Sequence, residues 1–454
     1  MTRSRFAVLA TLLAIAGCAL YNEVSIAPLN MNPLMIDHGA DVQGMVRKAD
    51  YLRAVEYAST VESRTKPSAA ELGALGSAEL SSGRYDDARK HLRTALQLQP
   101  FHTTAAQIEW SLSQAEYMSN NYESALDWAQ QATNHGILVK QWHIDYLRAL
   151  AHTQIYKFSG LPTTQMPMKT THPDVPRVDV RLNGKRSIAA VIDSGAVLSI
   201  ASRELADSLP IERLGKFTGE FYGLLGEPIE VEFGLLESLT VGDIVVENVP
   251  VAIMPDDKMH FISSGKTAFN IDFLLGANFL KEFRTDLDFP RNTVTFQRLT
   301  PADRHPAEDQ NLFIHGFRPY VRGLVNGHGW FTFVLDTGSE VTFLNDDQKL
   351  NLPLHSAAPR VHGAMLQGLG GSKKHGEKVE DVELGIDRWA GTFKTVPMYS
   401  PSESESAAGI LGENFLNNFR VVLDYGRMRL DLVRNGGYST LKPSTLRATA
   451  APPS

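Results

Sequence analysis

Two short stretches of the sequence each place an aspartate at the end of an apolar run. Asp193 follows the run 189–192, and Asp336 follows the run 331–335; each is followed by a small hydroxyl residue and a glycine. A carboxylate at the end of a buried strand is costly unless another group satisfies or neutralises it. Two such carboxylates placed a few ångströms apart cannot both ionise easily, so they would share one proton. The ionised member could then deprotonate water while the protonated member hydrogen-bonds a carbonyl oxygen.

The sequence around the two aspartates is duplicated over a much longer stretch. In both copies alternating apolar residues lead to an Asn-Gly pair, at 183–184 and 326–327, which predicts a hairpin. Both copies then reach an apolar-apolar-Gly segment, 83 residues after Asp193 and 76 residues after Asp336. Both close with Asn-Phe-Leu and a Phe-Arg-x-x-Leu-Asp strand pattern. A repeat on this scale indicates a two-fold architecture.

This pattern resembles the retropepsin-like, pepsin-type aspartic proteases over residues 175–435. The resemblance implies an all-β duplicated fold in which each of two lobes supplies one catalytic residue, Asp193 and Asp336. The residues that it assigns to support of this dyad are Ser194, Gly195, Thr337, Gly338 and Ser339. The glycines that close the two lobes are Gly276 and Gly412.

The resemblance also implies roles for some of these residues. Ser194 and Thr337 would direct their hydroxyls across the lobe interface and brace it. Gly195 and Gly338 would let the backbone approach the dyad and add amide donors. Ser339 has no hydroxyl counterpart in the first copy, where Ala196 stands. We therefore hypothesise that the Ser339 hydroxyl donates to Asp336, leaving Asp193 as the more readily protonated member.

Members of this family close the cleft with a hairpin flap, and each copy offers a candidate. The first is the segment 220–226, with Tyr222 and Gly223; the second is 366–371, with Gly368 and Gly370. Glycines suit a mobile hinge, and Tyr222 could cover substrate. Both segments are equally compatible with ordinary hairpin turns.

The chain of 454 residues is too long for one core, so we expect several domains. The predicted order places an all-α, tetratricopeptide-like array before the all-β duplicated protease fold. The predicted segments are a signal peptide (1–18), a tether (19–36), the helical domain (37–157), a linker (158–176), lobe 1 (177–298), a connector (299–314), lobe 2 (315–436) and a disordered tail (437–454).

The N-terminal segment reads as an export signal rather than as part of the fold. Two arginines precede an apolar stretch too short to span a membrane well, and Ile15-Ala16-Gly17-Cys18 resembles a bacterial lipobox. Lipidation of Cys18 would anchor the protein at the cell envelope, and Ala19 favours the periplasmic face of the outer membrane. A plain signal peptide with an incidental cysteine is the alternative. Because Cys18 is the only cysteine, disulfides within the chain are excluded.

Helical periodicity fills the segment before the lobes. Tyr85, Ala88 and Ala95 recur 37 residues later as Tyr122, Ala125 and Ala132, which resembles a tetratricopeptide repeat. Such arrays bind peptides or partner proteins on a concave face, although this one could be only a spacer between membrane and lobes. We expect the large aromatic residues of the region to be core residues of the stacked helices; they are Tyr117, Tyr122, Trp128 and Trp142.

Several other function classes fail on inspection. A net charge of −7 disfavours nucleic acid as a partner. The fourteen histidines show no zinc-ligand spacing, Gly265-Lys266-Thr267 lacks the glycine that a phosphate loop requires, and no Gly-x-Ser-x-Gly elbow is present. We therefore expect neither a metal nor another cofactor.

Together these features predict a lipid-anchored aspartic endopeptidase that binds an extended polypeptide by strand addition. One alternative is a non-catalytic peptide- or protein-binding lipoprotein with degenerate lobes. The other is a protease whose lobes pair between two chains, although the matched lobe lengths favour pairing within one chain.

Overall fold

The computed structural model contains a helical array followed by two β-lobes. It describes residues 14–17, 24–29, 34–35, 54–56, 66–98, 105–170, 175–209, 211–223, 228–263, 267–348, 352–354, 361–368, 373–399 and 407–434. The first strands are β1 (Ala14–Gly17), β2 (Ser25–Pro28) and β3 (Leu34–Met35). The array consists of α1 (Ala69–Ser81), α2 (Tyr85–Leu98), α3 (Ala105–Met118), α4 (Tyr122–Asn134) and α5 (Gln141–Leu150).

The array is built from two helical hairpins, α1–α2 and α3–α4, followed by α5. The helices α2 and α4 begin at Tyr85 and Tyr122, the two tyrosines of the 37-residue repeat. The repeated alanines are fully buried, since only small side chains let two helices cross closely. Ser68 caps α1 in a reciprocal capping box with Glu71. The predicted tetratricopeptide-like array is confirmed.

The first lobe is a closed barrel that contains both antiparallel and parallel strand pairs. Between residues 157 and 298 the elements are β4 (Lys157–Gly160), β5 (Thr163–Pro167), β6 (Arg177–Leu182), β7 (Arg186–Ile192), β8 (Ser199–Ser202), α6 (Arg203–Ser208), β9 (Glu212–Arg213), β10 (Gly219–Tyr222), β11 (Pro228–Val241), β12 (Ile244–Met254), β13 (His260–Ser263), β14 (Thr267–Asn270), β15 (Phe273–Leu275), α7 (Ala277–Leu280), β16 (Phe283–Asp288) and β17 (Thr293–Arg298). The order is β10-β11-β6-β7-β15-β8-β12-β4, and pairing of β11 with β12 closes the barrel.

The second lobe repeats this arrangement. Its elements are β18 (Leu312–His315), β19 (Arg318–Val325), β20 (His328–Leu335), β21 (Phe343–Asn345), β22 (Val361–Gly368), β23 (Lys373–Ile386), β24 (Trp389–Tyr399), β25 (Gly409–Leu411), α8 (Glu413–Leu416), β26 (Arg420–Asp424) and β27 (Arg429–Val433). The order β22-β23-β19-β20-β25-β21-β24 reproduces that of the first lobe, and β23–β24 pairing closes it. The long strands match in length: β11 and β23 have 14 residues each, and β12 and β24 have 11 each.

The two lobes share a third sheet, in the order β27-β26-β16-β17-β5. Its centre is the antiparallel pairing of β16 from the first lobe with β26 from the second, with Arg284 opposite Asp424. Arg420 of β26 also forms an ion pair with Asp286 of β16. The lobes are therefore joined by backbone hydrogen bonds within one chain, which is the pairing that the sequence favours over pairing between chains.

Segments predicted as linkers contribute strands to these sheets. In the predicted linker, β4 pairs with β12 and β5 pairs with β17. In the predicted tether, β2 pairs with β24 and β3 with β20; in the predicted connector, β18 pairs with β19. The segment 1–18, predicted to lie outside the fold, supplies β1, which pairs with β22. The reason is common to all: a sheet edge carries unpaired N–H and C=O groups that any extended segment can satisfy. The predicted tail lies outside the described residues.

Candidate active site

The two aspartates lie at matching positions in the two barrels. Asp193 directly follows β7 and Asp336 directly follows β20, where each strand pairs in parallel with a short central strand, β15 or β25. The backbone N–H of Asp193 donates to Leu275 O at 3.0 Å, and that of Asp336 donates to Leu411 O at 3.1 Å. Both side chains are fully buried, with 0% exposure. The folding of the two lobes thus brings two carboxyls together in a buried site.

The two carboxyls have different surroundings. Asp193 Oδ1 accepts from the Ala196 N–H, and Asp336 Oδ1 accepts from the Gly338 N–H, each at 2.9 Å. The Oδ2 atom of each is buried and accepts no hydrogen bond from a donor in the described part of the chain. Burial raises the pKa of Asp193 well above its usual range, and the adjacent Asp336 carboxylate raises it further. Burial also raises the pKa of Asp336, but only to about 6, because N–H donors such as Gly338 favour its ionised form.

The two carboxyls together are more stable with one bound proton than with no proton or with two. The interaction between the two carboxyls raises the pKa of Asp193 and lowers that of Asp336. The guanidinium of Arg318, which is itself 3% exposed, lowers the pKa of Asp336 as well. Asp193 is therefore the more readily protonated member of the pair, and Asp336 the more readily ionised one.

Two hydroxyls cross the lobe interface beside the dyad. Ser194 Oγ donates to Leu335 O of the second lobe at 2.7 Å and accepts from the Thr337 N–H at 3.1 Å. Thr337 Oγ1 donates to Ile192 O of the first lobe at 2.7 Å and accepts from the Ser194 N–H at 3.1 Å. These four reciprocal bonds fix the two dyad-bearing loops against each other.

The glycines of the two motifs pack against the carboxyl of the opposite lobe. A Cβ atom on Gly195 would lie 2.4 Å from Asp336 Cγ, and one on Gly338 would lie 2.4 Å from Asp193 Cγ. Distances this short are not compatible with normal contact. Each glycine is therefore required for the close approach of the two carboxyls.

The hypothesis for Ser339 is wrong. Its hydroxyl donates to the carbonyl of Val341 at 2.8 Å, because the loop after Gly338 brings that buried acceptor within reach. It is the backbone N–H of Ser339 that helps to lower the pKa of Asp336. The asymmetry itself has the predicted direction, but its causes are burial, the neighbouring carboxylate, backbone donors and Arg318.

The two lobe-closing glycines pack closely against the loops that follow Asp193 and Asp336. A Cβ on Gly276 would lie 2.3 Å from Leu198 O, and one on Gly412 would lie 2.5 Å from Val341 O. Each glycine precedes a single-turn helix, α7 or α8, whose first N–H bonds the dyad loop: Ala277 N donates to Ala196 O and Glu413 N to Ser339 O, both at 2.7 Å.

Sequence reasoning missed a symmetric pair of asparagines that support these loops. Asn278 Oδ1 accepts from the Ser199 N–H at 2.7 Å, and Asn414 Oδ1 accepts from the Thr342 N–H at 2.8 Å. The hydroxyls of Ser199 and Thr342 donate to the same oxygens. The equal spacing of 143 residues between Asp193 and Asp336 and between Ser199 and Thr342 was a usable signal. Arg318 was also missed, since a lone arginine at the start of a strand has no distinctive spacing.

Comparison with known proteins agrees with this geometry. Residues 178–279 match a protein-family model described as aspartyl protease, and residues 68–135 match one described as tetratricopeptide repeat. The two lobes are barrels of the same topology, an arrangement that fits a duplicated retropepsin-like fold. A matching solved structure is that of a retropepsin-like aspartic protease from Rickettsia conorii, which is 14% identical, aligns over 32% of this chain and 97% of that one, and has a TM-score of 0.20. No curated protein matches the chain.

Both flap candidates lie in β-hairpins. In the first flap hairpin, β10–β11, Tyr222 ends β10 opposite Pro228 and its hydroxyl bonds the Glu220 carboxylate; Gly223 follows and is buried. In the second flap hairpin, β22–β23, Gly368 ends β22. Gly370 lies outside the described residues. The role of these hairpins as flaps stays a prediction.

The first flap hairpin packs on the helical array. Trp142 of α5, expected to be a core residue of the helices, instead stacks on Phe233 of β11 with ring centroids 5.6 Å apart. The reason is that its turn of α5 faces the first lobe, where the apolar face of the hairpin would otherwise be uncovered.

The remaining predictions concern the lipid anchor, the membrane and a metal site. Cys18 lies outside the described residues. Within the part of the chain that the structure covers, no helix is long and apolar enough to cross a membrane. In the same part, no group of three or more His, Cys, Asp and Glu side chains is arranged to hold a metal ion.

Proposed function

We propose that the chain is an aspartic endopeptidase that hydrolyses peptide bonds with Asp193 and Asp336. The observation that carries the proposal is the buried carboxyl pair, one member from each lobe, with pKa values that leave a single proton between them. An acid–base pair of this kind is suited to activating water against an amide without a covalent intermediate.

The proposed mechanism follows from the two protonation states. Ionised Asp336 takes a proton from a water molecule, while the Asp193 carboxyl donates its proton to the oxygen of the scissile carbonyl. The water oxygen bonds to the carbonyl carbon and forms a tetrahedral diol. Asp336 then passes its proton to the amide nitrogen, and ionised Asp193 takes a proton from one diol hydroxyl. The carbon–nitrogen bond breaks, which gives a carboxylic acid and an amine and returns the two carboxyls to their starting protonation states. The cross-lobe hydroxyls and glycines keep the two carboxyls at the required spacing.

An extended polypeptide is the proposed substrate. Each flap candidate is a β-hairpin, and an extended peptide can bind by adding a strand to the edge of a hairpin. Tetratricopeptide arrays commonly bind proteins, and we propose that the exposed face of this array contributes to partner recognition.

The test is cleavage of a mixed peptide library by the full-length chain at pH 5 to 8, compared with Asp193→Asn and Asp336→Asn. Each substitution keeps the size of the side chain and should lower the cleavage rate by at least about 10²-fold. The matched control is Asp257→Asn, whose carboxylate is 71% exposed and should leave the rate unchanged. A folded wild type that cleaves no peptide, but binds peptides, would replace this proposal with the non-catalytic binding protein.

We further propose that the protein is lipid-anchored in a bacterial envelope, on the periplasmic face of the outer membrane. The support is the sequence Ile15-Ala16-Gly17-Cys18 after a short apolar stretch. Incorporation of radiolabelled fatty acid that is lost in Cys18→Ser, with recovery of the wild type in the outer-membrane fraction, is the expected result. Release of wild type as an unlabelled soluble protein would instead indicate a plain signal peptide.

A further inference from the structure

The helical array covers the inner, apolar face of the first flap hairpin. That face is formed by side chains that alternate with exposed ones along β10 and β11, and it includes Phe221, Val231 and Phe233. Trp142 lies 5.6 Å from Phe233 and 6.0 Å from Phe221, and Tyr146 lies 5.0 Å from Phe233, between ring centroids. Helix α5 therefore lies directly against the flap side of the first lobe.

Helix α5 also lies beside the loop of the first lobe that follows Asp193. A small cavity lies between Trp142 and Tyr146 of α5, Phe221 of the flap, and Val197 and Leu198. The last two belong to the loop that starts at Asp193, and they are 3% and 4% exposed. The cavity is thus bordered by the flap, the loop after Asp193 and α5, with Tyr117 of α3 and Phe317 of the second lobe beside them, and its walls are mostly apolar.

This contact with the array is firmly fixed. Asn120, in the turn after α3, donates to Glu282 Oε1 at 2.9 Å and accepts from Lys281 Nζ at 2.6 Å. Lys281 and Glu282 are both buried and form an ion pair, and Arg304 adds a second cation to Glu282 at 2.7 Å. Separating the array from the first lobe would remove the hydrogen-bond partner Asn120 from these buried charges. Leaving a buried charge without its partners is costly. Helix α5 is therefore a permanent wall rather than a detachable cover.

We propose that α5 forms one wall of the substrate cleft and that Trp142 determines substrate specificity. The proposal rests on the proposed peptidase function. The cavity volume of about 10 Å³ admits about one water-sized group, so the subsite takes a small apolar side chain such as that of alanine. The indole of Trp142 excludes larger side chains from this position.

The test is a substrate profile of the full-length chain against peptides that differ only by alanine or phenylalanine at each position around the cleaved bond. Wild type should prefer alanine at one position. In Trp142→Ala the ratio of kcat/KM for the phenylalanine peptide to that for the alanine peptide should rise at least about tenfold at that position only. Trp142→Phe, which keeps a ring on the flap, should retain most of the wild-type preference and guards against a folding defect in Trp142→Ala.

The matched control is Trp128→Ala, which removes a partly buried tryptophan that packs within the array. It should leave the profile unchanged. An equal rise in kcat/KM for all peptides in Trp142→Ala would overturn the subsite and indicate that α5 only obstructs the cleft. An unchanged profile in a folded Trp142→Ala would also overturn it. If wild type cleaves no peptide while folded, the peptidase proposal itself fails, and that result differs from either outcome above.

Discussion

The cross-lobe hydroxyl of Ser194 gives the sharpest test of how the two lobes are held together. Its oxygen makes two hydrogen bonds to the second lobe, to Leu335 O at 2.7 Å and from the Thr337 N–H at 3.1 Å. Ser194→Ala removes both bonds and leaves a carbonyl and an N–H without these partners in a fully buried site.

The expected cost follows from these two groups. A buried donor or acceptor left without its partner costs about 1–3 kcal/mol, so the loss of two partners should lower the free energy of unfolding by about 2–6 kcal/mol. That is a large share of the roughly 5–15 kcal/mol that stabilises a typical domain. Thr337→Ala should have a similar cost, because its hydroxyl makes the mirror-image bonds. Ser194→Thr keeps the hydroxyl and should lose less than Ser194→Ala.

The assay is urea unfolding of the full-length chain, read by tryptophan fluorescence, with cleavage rate as a second readout. Ser187→Ala is the control, because Ser187 lies exposed on the same strand that leads to the dyad. A Ser194→Ala chain whose free energy of unfolding matches that of Ser187→Ala, within about 0.5 kcal/mol, would refute the reasoning.

Three further predictions concern the dyad. Asp336 has a pKa of about 6 in the folded chain and 3.8 in an unperturbed aspartate, so the folded state binds the proton more tightly than the unfolded state. The protonated Asp336 therefore contributes to the free energy of unfolding at low pH, and this contribution is lost as the pH rises through 6. Urea unfolding should show wild type losing on the order of 1 kcal/mol more than Asp336→Asn between pH 5 and 8, with Asp257→Asn behaving like wild type. Equal losses in wild type and Asp336→Asn would contradict the assignment. The kcat/KM of peptide cleavage should fall about tenfold per pH unit below pH 6, because protonated Asp336 cannot accept the proton of water, whereas a flat profile from pH 4 to 7 would speak against that role. Gly195→Ala should lower the cleavage rate by about 10²-fold, because its Cβ would displace the Asp336 carboxyl, and a near-wild-type rate would show that the dyad tolerates wider spacing.

The duplicated fold could be predicted because its signals are local and occur twice. The apolar strand before each aspartate, the Asn-Gly hairpins and the helical repeat of Tyr85 and Tyr122 each reflect backbone geometry that nearby residues determine. The linker strands could not be predicted in this way. Strands such as β4 and β5 pair through backbone groups that every residue carries, so their side chains give little indication of a partner.

Part of the candidate site could also be predicted from the sequence. The residue types at Asp193 and Asp336 indicate their chemistry, and the cross-lobe hydroxyls follow from the resemblance. The partner of Ser339 was not predictable, since two acceptors lay within a few residues of it. The position of Trp142 against the flap was also beyond reach, because helical periodicity shows which face is apolar but not which surface covers it.

Joining both lobes in one chain has a consequence for how a peptide is read. Two identical lobes related by exact symmetry would give a cleft that looks the same from either end, and a peptide could enter in either direction. Here, among the described residues, the ring contacts of α5 with a flap hairpin are with the first one, so a substrate cleft between the lobes would have unlike ends. A cleft with unlike ends distinguishes the amino-terminal side of a peptide from its carboxyl-terminal side.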